Sequence, residues 1–321
     1  MKKSKIRRLS ADGIRTYSLR SRKSKVQFES FAKVFPGNSG FAQFIDYLPD
    51  ILAGSDFKEF VRYVRRAKSR NKPIIFAMGA HVIKVGLNPV LIDMMKEGWI
   101  DALCLNGAGI IHDFEIAFAG HTSEDVNSQL KQGRFGMAKE TGEMLNKAIN
   151  AGARKNLGLG EAVGKMIASS DFPHKDLSLL ASAYKQNIPV TVHVAVGTDI
   201  IHLHPEVNGP ALGKTTLADF FLFCSLVAKL EGGGIYVNAG SAVILPEVFL
   251  KAVSFVRNKG FPLSHFTTAV FDFISHYRPQ QNVVKRPTSG AGKGFYFIGH
   301  HEIMIPLLAA ALKSASADQK A

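Results

Sequence analysis

From residue 73 onward the chain alternates short, unbroken apolar runs with longer stretches in which apolar residues recur every three or four positions. The runs fall at 73–78, 100–105, 189–194, 235–237 and 263–268. Runs of this kind suit strands covered on both faces, as the strands of a parallel sheet are. The stretches between them, 88–98, 123–151, 216–229 and 246–259, suit crossover helices. Upstream, Ser39 and Gly40 open a run through Phe44, Ile45, Leu48, Ile51 and Leu52, and Ser55 precedes Phe57, Phe60, Val61 and Val64. Two amphipathic helices are expected there. Thr216 and Asp219 have the spacing of a capping box, which predicts a helix start, and Asn258-Lys259-Gly260 predicts a helix ending on a left-handed glycine. The pattern predicts a Rossmann-like α/β fold: a mostly parallel sheet with helices on both faces, preceded by a helical extension.

Composition narrows the class. The 321 residues are 46% hydrophobic and 21% charged, within the range of folded proteins, which excludes disorder along the whole length. No stretch of about 20 residues is continuously apolar, so no membrane-spanning helix and no membrane partner are expected. The net charge of +14 is concentrated at the start: residues 1–25 hold ten Lys and Arg against one acid, Asp12. This divides the chain into a basic arm at 1–38, a single α/β domain at 39–313 and a disordered tail at 314–321. No aromatic interleaving or nucleic-acid module accompanies the arm, so it reads as a solvated or inter-subunit arm and nucleic acid is not expected as a partner. The arm lacks the apolar core of a secretory signal, and despite an Arg- and Ser-rich likeness to organelle transit segments, cytoplasm is the expected setting. Cys104 and Cys224 sit in apolar runs and read as buried thiols of a reducing compartment.

Candidate chemistry gathers where these strands end. Gly209 to Thr215 imitates a phosphate loop but has three residues between its glycines instead of four and follows no strand, which argues against ATP. Gly158, Gly160 and Gly164 read as a loop entering a helix. Asn106-Gly107-Ala108-Gly109, followed by His112 and Asp113, leaves a strand for a helix, where small residues and free amides suit a phosphate. The third glycine of the dinucleotide fingerprint is absent. Open α/β sheets bind ligands at the C-terminal ends of their strands, so His81, Asn106, Asp199, Asn238, Gly240, Ser241 and Asp272 should meet at one crevice. His112, Asp113, His202, His204, His300, His301 and Glu302 offer an alternative, a metal centre, without zincin spacing.

These residues resemble the deoxyhypusine synthase family. The resemblance runs in order through Gly79-Ala80-His81, Lys84 to Leu87, Trp99 to Gly109, Ile188 to Val190, Asp199, Glu231 to Gly240, Thr268-Ala269, Asp272, Arg278-Pro279 and Ile305 to Leu308, over about residues 70 to 310. It implies a Rossmann-like NAD-binding fold assembled as homotetramers. The family uses NAD to oxidise spermidine and passes its aminobutyl group through an enzyme lysine imine to a protein lysine. A homospermidine synthase passes it to a free diamine. The resemblance implies cofactor contacts at His81, Asn106 to Gly109, His112, Asn238, Gly240, Ser241, Asp272, His300 and His301, and substrate contacts at Asp199 and Gln281. The reactive lysine of the family lies in a Trp-Gly-Lys motif that this sequence lacks: Pro287 falls at its place, with Lys285 two residues away and Lys293 in the next glycine-rich turn. Three classes stand at this point: a transferase using Lys285 or Lys293, a metal-assisted enzyme, and a non-catalytic ligand-binding homologue.

Overall fold

The computed structural model describes residue 6 and residues 8–314. Five of the arm's first residues, residue 7 and the tail at 315–321 lie outside the described residues. Among the described residues six strands form one parallel sheet: β1 (Ile74–Met78), β2 (Ala102–Asn106), β3 (Val190–His193), β4 (Ile235–Ala239), β5 (Thr267–Asp272) and β6 (Lys293–Ile298). Their spatial order is β3-β2-β1-β4-β5-β6. The order reverses direction between β1 and β4, the topological switch point of a doubly wound sheet.

Two short layers of helix cover the faces. On one side lie α1 (Phe41–Tyr47), α2 (Leu52–Ser69), α3 (His81–Lys84), α4 (Asn88–Lys96) and α5 (Gly107–Ala119). They are joined there by α7 (Lys139–Arg154), α8 (Leu159–Ala168) and α9 (Leu179–Lys185), with α6 (Val126–Leu130) in the connecting loop. On the other side α10 (Gly209–Ala228) and α11 (Ile244–Asn258) pack on Cys104, Tyr236 and Val270. After the short α12 (Tyr277–Pro279) and a π-helical segment, Gln280–Lys285, the chain forms β6 and returns to the first side as α13 (His301–Lys313). Strand residues alternate between the two cores: Phe76, Leu103, Leu105 and Val237 face α2 and α5, whereas Ala77, Cys104 and Tyr236 face α10 and α11. Burial on both sides is why the strands appear in the sequence as unbroken apolar runs.

Two expectations shift. The fifth strand runs four residues later than its apolar run, and a sixth strand follows it. The α10 helix begins at Gly209, where Asn208 Oδ1 accepts from Ala211 N at 2.9 Å and Pro210 occupies the first turn. Thr216 and Asp219, read from the sequence as the cap, lie inside the helix and serve the free edge of β3. Asp219 Oδ2 accepts from Val192 N (2.8 Å) and Gly160 N (2.9 Å), and Thr216 Oγ1 donates to Val192 O (2.8 Å). The edge strand is thereby closed against pairing with another chain. By length and composition α10 is apolar enough to cross a membrane, but its buried face covers the sheet and its only acid is tied to β3.

Burial raises the Asp219 carboxyl to about 7, against hydrogen bonds from three backbone amides that pull the other way. The folded chain therefore holds a proton that the unfolded chain has released between about pH 4 and 7, and this group's contribution to stability falls as pH rises through that window. Asp219→Asn should remove that part of the slope, at most about 1.4 kcal/mol per pH unit, in urea melts of both proteins from pH 4.5 to 8. Parallel stability curves for the two would contradict it.

Candidate functional site

The strand register defines the site. Met78 pairs with Leu105 and with Ala239, Asn106 with His193, and Ala239 with Phe271. One step beyond these pairs, the next row reads His193, Asn106, Gly79, Gly240 and Asp272 across five strands. Gly79 N donates to Ala239 O (2.9 Å) and Gly240 N to Phe271 O (3.0 Å), so the ladder continues into this row. Neighbouring strands are about 4.8 Å apart, which places Asn106 and Asp272 roughly 14 Å from each other, on either side of two glycines. By alternation the side chains of His193, Asn238 and Asp272 lie on the α10–α11 side, whereas that of Asn106 turns to the start of α5.

The two glycines hold β1 and β4 together. A Cβ on Gly79 would stand 2.2 Å from Gly240 O, and one on Gly240 would stand 2.9 Å from His301 Nε2. Gly240 also adopts φ +65°, a conformation that glycine takes without strain. His301, fully buried, donates from Nε2 to Phe271 O at 3.1 Å. Its ring centroid is 5.6 Å from that of His81. Phe273 stacks at 6.3 Å on His300, which is largely exposed. The imidazoles of His81 and His301 thus stand on the α13 side of the glycine contact, opposite Asn238 and Asp272.

Asp199, in the loop from β3 to α10, reaches the start of α5. Its Oδ2 would be 1.9 Å from a Cβ on Gly107 and has no hydrogen-bond partner, although the residue is only 7% exposed. Burial pushes this carboxyl up to about 6. The Asn106 side chain accepts from Gly109 N at 3.1 Å. The helix end expected to receive a phosphate is therefore already closed by the chain's own Asn106 and Asp199, and a carboxylate at Gly107 repels a second anion. Further acceptors stand without donors: Asn238 Oδ1, whose amide group donates to Ser241 O (3.0 Å), and His301 Nδ1. Ser241 Oγ accepts from Leu245 N at 3.3 Å and so supports the start of α11. Asp272 accepts from Phe273 N at 2.9 Å and lies 3.9 Å from His276 Nε2.

The candidate lysines stand elsewhere, and this corrects the sequence reading. Lys293 opens β6 at the N-terminal edge of the sheet, pairing with Glu59 at 3.4 Å. Thr268, early in β5, donates to Val283 O (2.8 Å), and Gly294 lies against Val284 O. The π-helical segment thus carries exposed Lys285 to that same N-terminal edge. Gln281 lies four residues before Lys285 in the same segment. A strand's first residue and its last are chemically alike in sequence, but only the last borders the crevice.

The alternative metal residues are also dispersed. Asp113, fully buried, accepts from Asn88 Nδ2, Ser178 Oγ, Leu179 N and Leu180 N, anchoring the start of α9. His204 Nε2 bonds Gly136 O at 2.9 Å, and His202 Nδ1 accepts from Gly197 N at 3.1 Å. Glu302 lies 3.8 Å from His300. Among the described residues no three His, Cys, Asp or Glu groups come close enough to share an ion.

His193 escaped the sequence reading because it sits inside an apolar run; its signal is that it closes a strand. It lies 4% exposed, bonds Thr191 Oγ1 at 3.1 Å, and burial lowers its pKa to about 4.

No family model and no curated relative matches this sequence. Solved structures do. A "putative deoxyhypusine synthase" from Entamoeba histolytica superposes with a TM-score of 0.53 at 10% identity, covering 87% of this chain and 95% of that one. ArgZ, an arginine dihydrolase of the ornithine–ammonia cycle in cyanobacteria, gives 0.50 at 17% identity, over 82% of this chain and 33% of that one. AgrE in ternary complex with ornithine and NAD+ gives 0.50 at 14% identity, over 80% and 32%. The chain spans about a third of the length of ArgZ and AgrE. These likenesses define the class as a parallel α/β fold of the deoxyhypusine-synthase-like type.

Gly79→Ala should destabilise the protein by about 1–3 kcal/mol, since the new methyl group has no space at the switch point. Gly213→Ala, at a helix position open to solvent, should instead be neutral or stabilise by about 0.5–1 kcal/mol. Chemical denaturation of the two variants beside the parent checks both; equal midpoints would show that β1 and β4 are not in contact.

Proposed function

We propose that this chain is a deoxyhypusine-synthase-like enzyme that binds NAD and a polyamine such as spermidine at the C-terminal edge of its sheet. Oxidation would leave an imine; the acceptor amine, either a free diamine or a lysine of another protein, would add to its aminobutyl carbon, 1,3-diaminopropane would leave, and the hydride would return to the new carbon–nitrogen double bond. The observation that carries this reading is the unpartnered, buried oxygen of Asp199. A carboxylate in that position lacks both a hydrogen-bond donor and a counter-charge, and an ammonium group supplies both. A phosphate supplies neither.

Two further orphan acceptors near this edge support the same reading. Asn238 Oδ1 and His301 Nδ1 call for N–H or O–H donors, which a nicotinamide nucleotide carries on its carboxamide, its adenine and its riboses. Gly79 and Gly240 present bare backbone at the switch point, where a dinucleotide crosses a sheet of this order. The pyrophosphate does not fit the start of α5, so its place is elsewhere along the edge. Bound NAD would accept a hydride from the carbon next to the amine nitrogen. Asp199 would hold the neighbouring ammonium in register with that carbon. AgrE, on the same fold, has been crystallised with an amino acid amine and NAD+ together. Lys285 and Lys293 lie at the opposite edge of this chain, so in this reading the acceptor nitrogen comes from outside the crevice. Homo-oligomeric assembly belongs to the same proposal.

Saturating NAD and saturating spermidine should each raise the melting temperature by several degrees, as selective ligands of the native state do. Asp199→Asn should abolish the spermidine shift and keep the NAD shift. Spermidine affinity should rise from pH 5 to 7, as the carboxyl near 6 ionises, and that rise should vanish in the variant. Lys285→Ala and Lys293→Ala should leave both shifts intact. Wild-type protein whose melting responds to neither ligand would end this reading.

A further inference from the structure

The α5 helix is buried along most of its length, and among its partly open positions Ala108, His112 and Glu115 share one stripe that starts at the C-terminal edge of the sheet. On that stripe three polar side chains are linked. The Thr122 hydroxyl donates to Glu115 Oε2, and His112 Nδ1 lies 2.6 Å from Thr122 Oγ1. Glu115 Oε1 accepts from Thr141 Oγ1 at 3.1 Å. A hydroxyl has one proton, and that of Thr122 is committed to the carboxylate. Its oxygen is then left to accept, so the proton on the imidazole must sit on Nδ1. His112 Nε2 carries a lone pair, has no hydrogen bond from the described residues, and stands beside the helix that bears Lys84.

We propose that Glu115 and Thr122 lock His112 as the Nδ1–H tautomer, so that its Nε2 is an obligate hydrogen-bond acceptor for a ribose hydroxyl of the bound nucleotide. The ligand assignment rests on the NAD reading above. Lys84 decides between donor classes: its charge repels an ammonium, so the group received here is a neutral hydroxyl. The same lysine and partial burial hold the imidazole neutral, with its pKa lowered to about 4, so the acceptor persists through the physiological range. His112 would touch the nucleotide, whereas Thr122 and Glu115 are positioning residues that act through it.

Two measurements test this. In ligand-free protein labelled with nitrogen-15 in histidine, the His112 signals, assigned by their loss in His112→Ala, should show the Nδ1–H tautomer. Thr122→Ser should keep that pattern and Thr122→Val should give a mixture of tautomers. In calorimetric titration with NAD+, His112→Ala should weaken binding about tenfold and Thr122→Val about threefold or more, while Thr122→Ser stays within twofold of the parent. An Nε2–H tautomer in the parent, or parent-like NAD+ affinity in His112→Ala, overturns the proposal. Absence of NAD+ binding by the parent removes the nucleotide reading and this ligand with it, whereas binding by the parent with an unaffected His112→Ala removes this inference alone.

Discussion

Where β1 and β4 meet, the two backbones approach until Gly79 leaves no space for a methyl group beside Gly240 O. That contact fixes the geometry of the whole ligand-facing edge. The crossovers from β1 and β4 depart to opposite sides of the sheet, so the strand ends part directly above the point at which their backbones touch. Side chains of the neighbouring strands then stand in two groups, His193, Asn238 and Asp272 on the α10–α11 side and His81 with His301 on the α13 side. Glycine backbone lies between the two groups.

Much of this architecture was legible in the sequence, and what was hidden was hidden for local reasons. Strands such as Ile74–Met78 and Ala102–Asn106 stand out because both faces are covered. β6 lacks that signature. At the border of the sheet only Phe295 and Phe297 are buried while Lys293 and Ile298 face outward, so its segment reads as a glycine-rich turn. Mistaking a strand's beginning for a turn then put Lys293 on the wrong edge. Similarly, Thr216 and Asp219 have capping-box spacing because a helix places residues three apart on one face, and that face here meets β3 rather than the helix's own amides.

The site was legible by position more than by residue type. The rule that ligands meet strand ends selects Asn106, Asn238 and Asp272, and the register puts Asn106 and Asp272 in one row with Asn238 two residues before Gly240. Type alone misleads. Asp113, His202 and His204 are good metal ligands in isolation, but burial makes each of them serve the nearest backbone: a helix start, a loop amide, a carbonyl. Conversely, His193 gives no signal within its apolar run until its position as the last residue of β3 is known.

Orphaned polar atoms decide which ligand chemistry suits the edge. Asp199 Oδ2, Asn238 Oδ1 and His301 Nδ1 are all acceptors, and none has a donor within reach. Leaving one buried acceptor unpaired costs about 1–3 kcal/mol, more where it is charged, so a fold that keeps three of them along one edge gains from any molecule that brings donors. A bare phosphate dianion brings none. The sequence pattern Asn-Gly-Ala-Gly suggested a phosphate cradle because small residues and a helix start often form one, but in this fold the cradle is filled from within by a carboxylate. At Gly107 that substitution puts a carboxylate where the motif alone suggested room for an anion. It also explains physically why a glycine motif and an aspartate ninety residues downstream in sequence have to be read together.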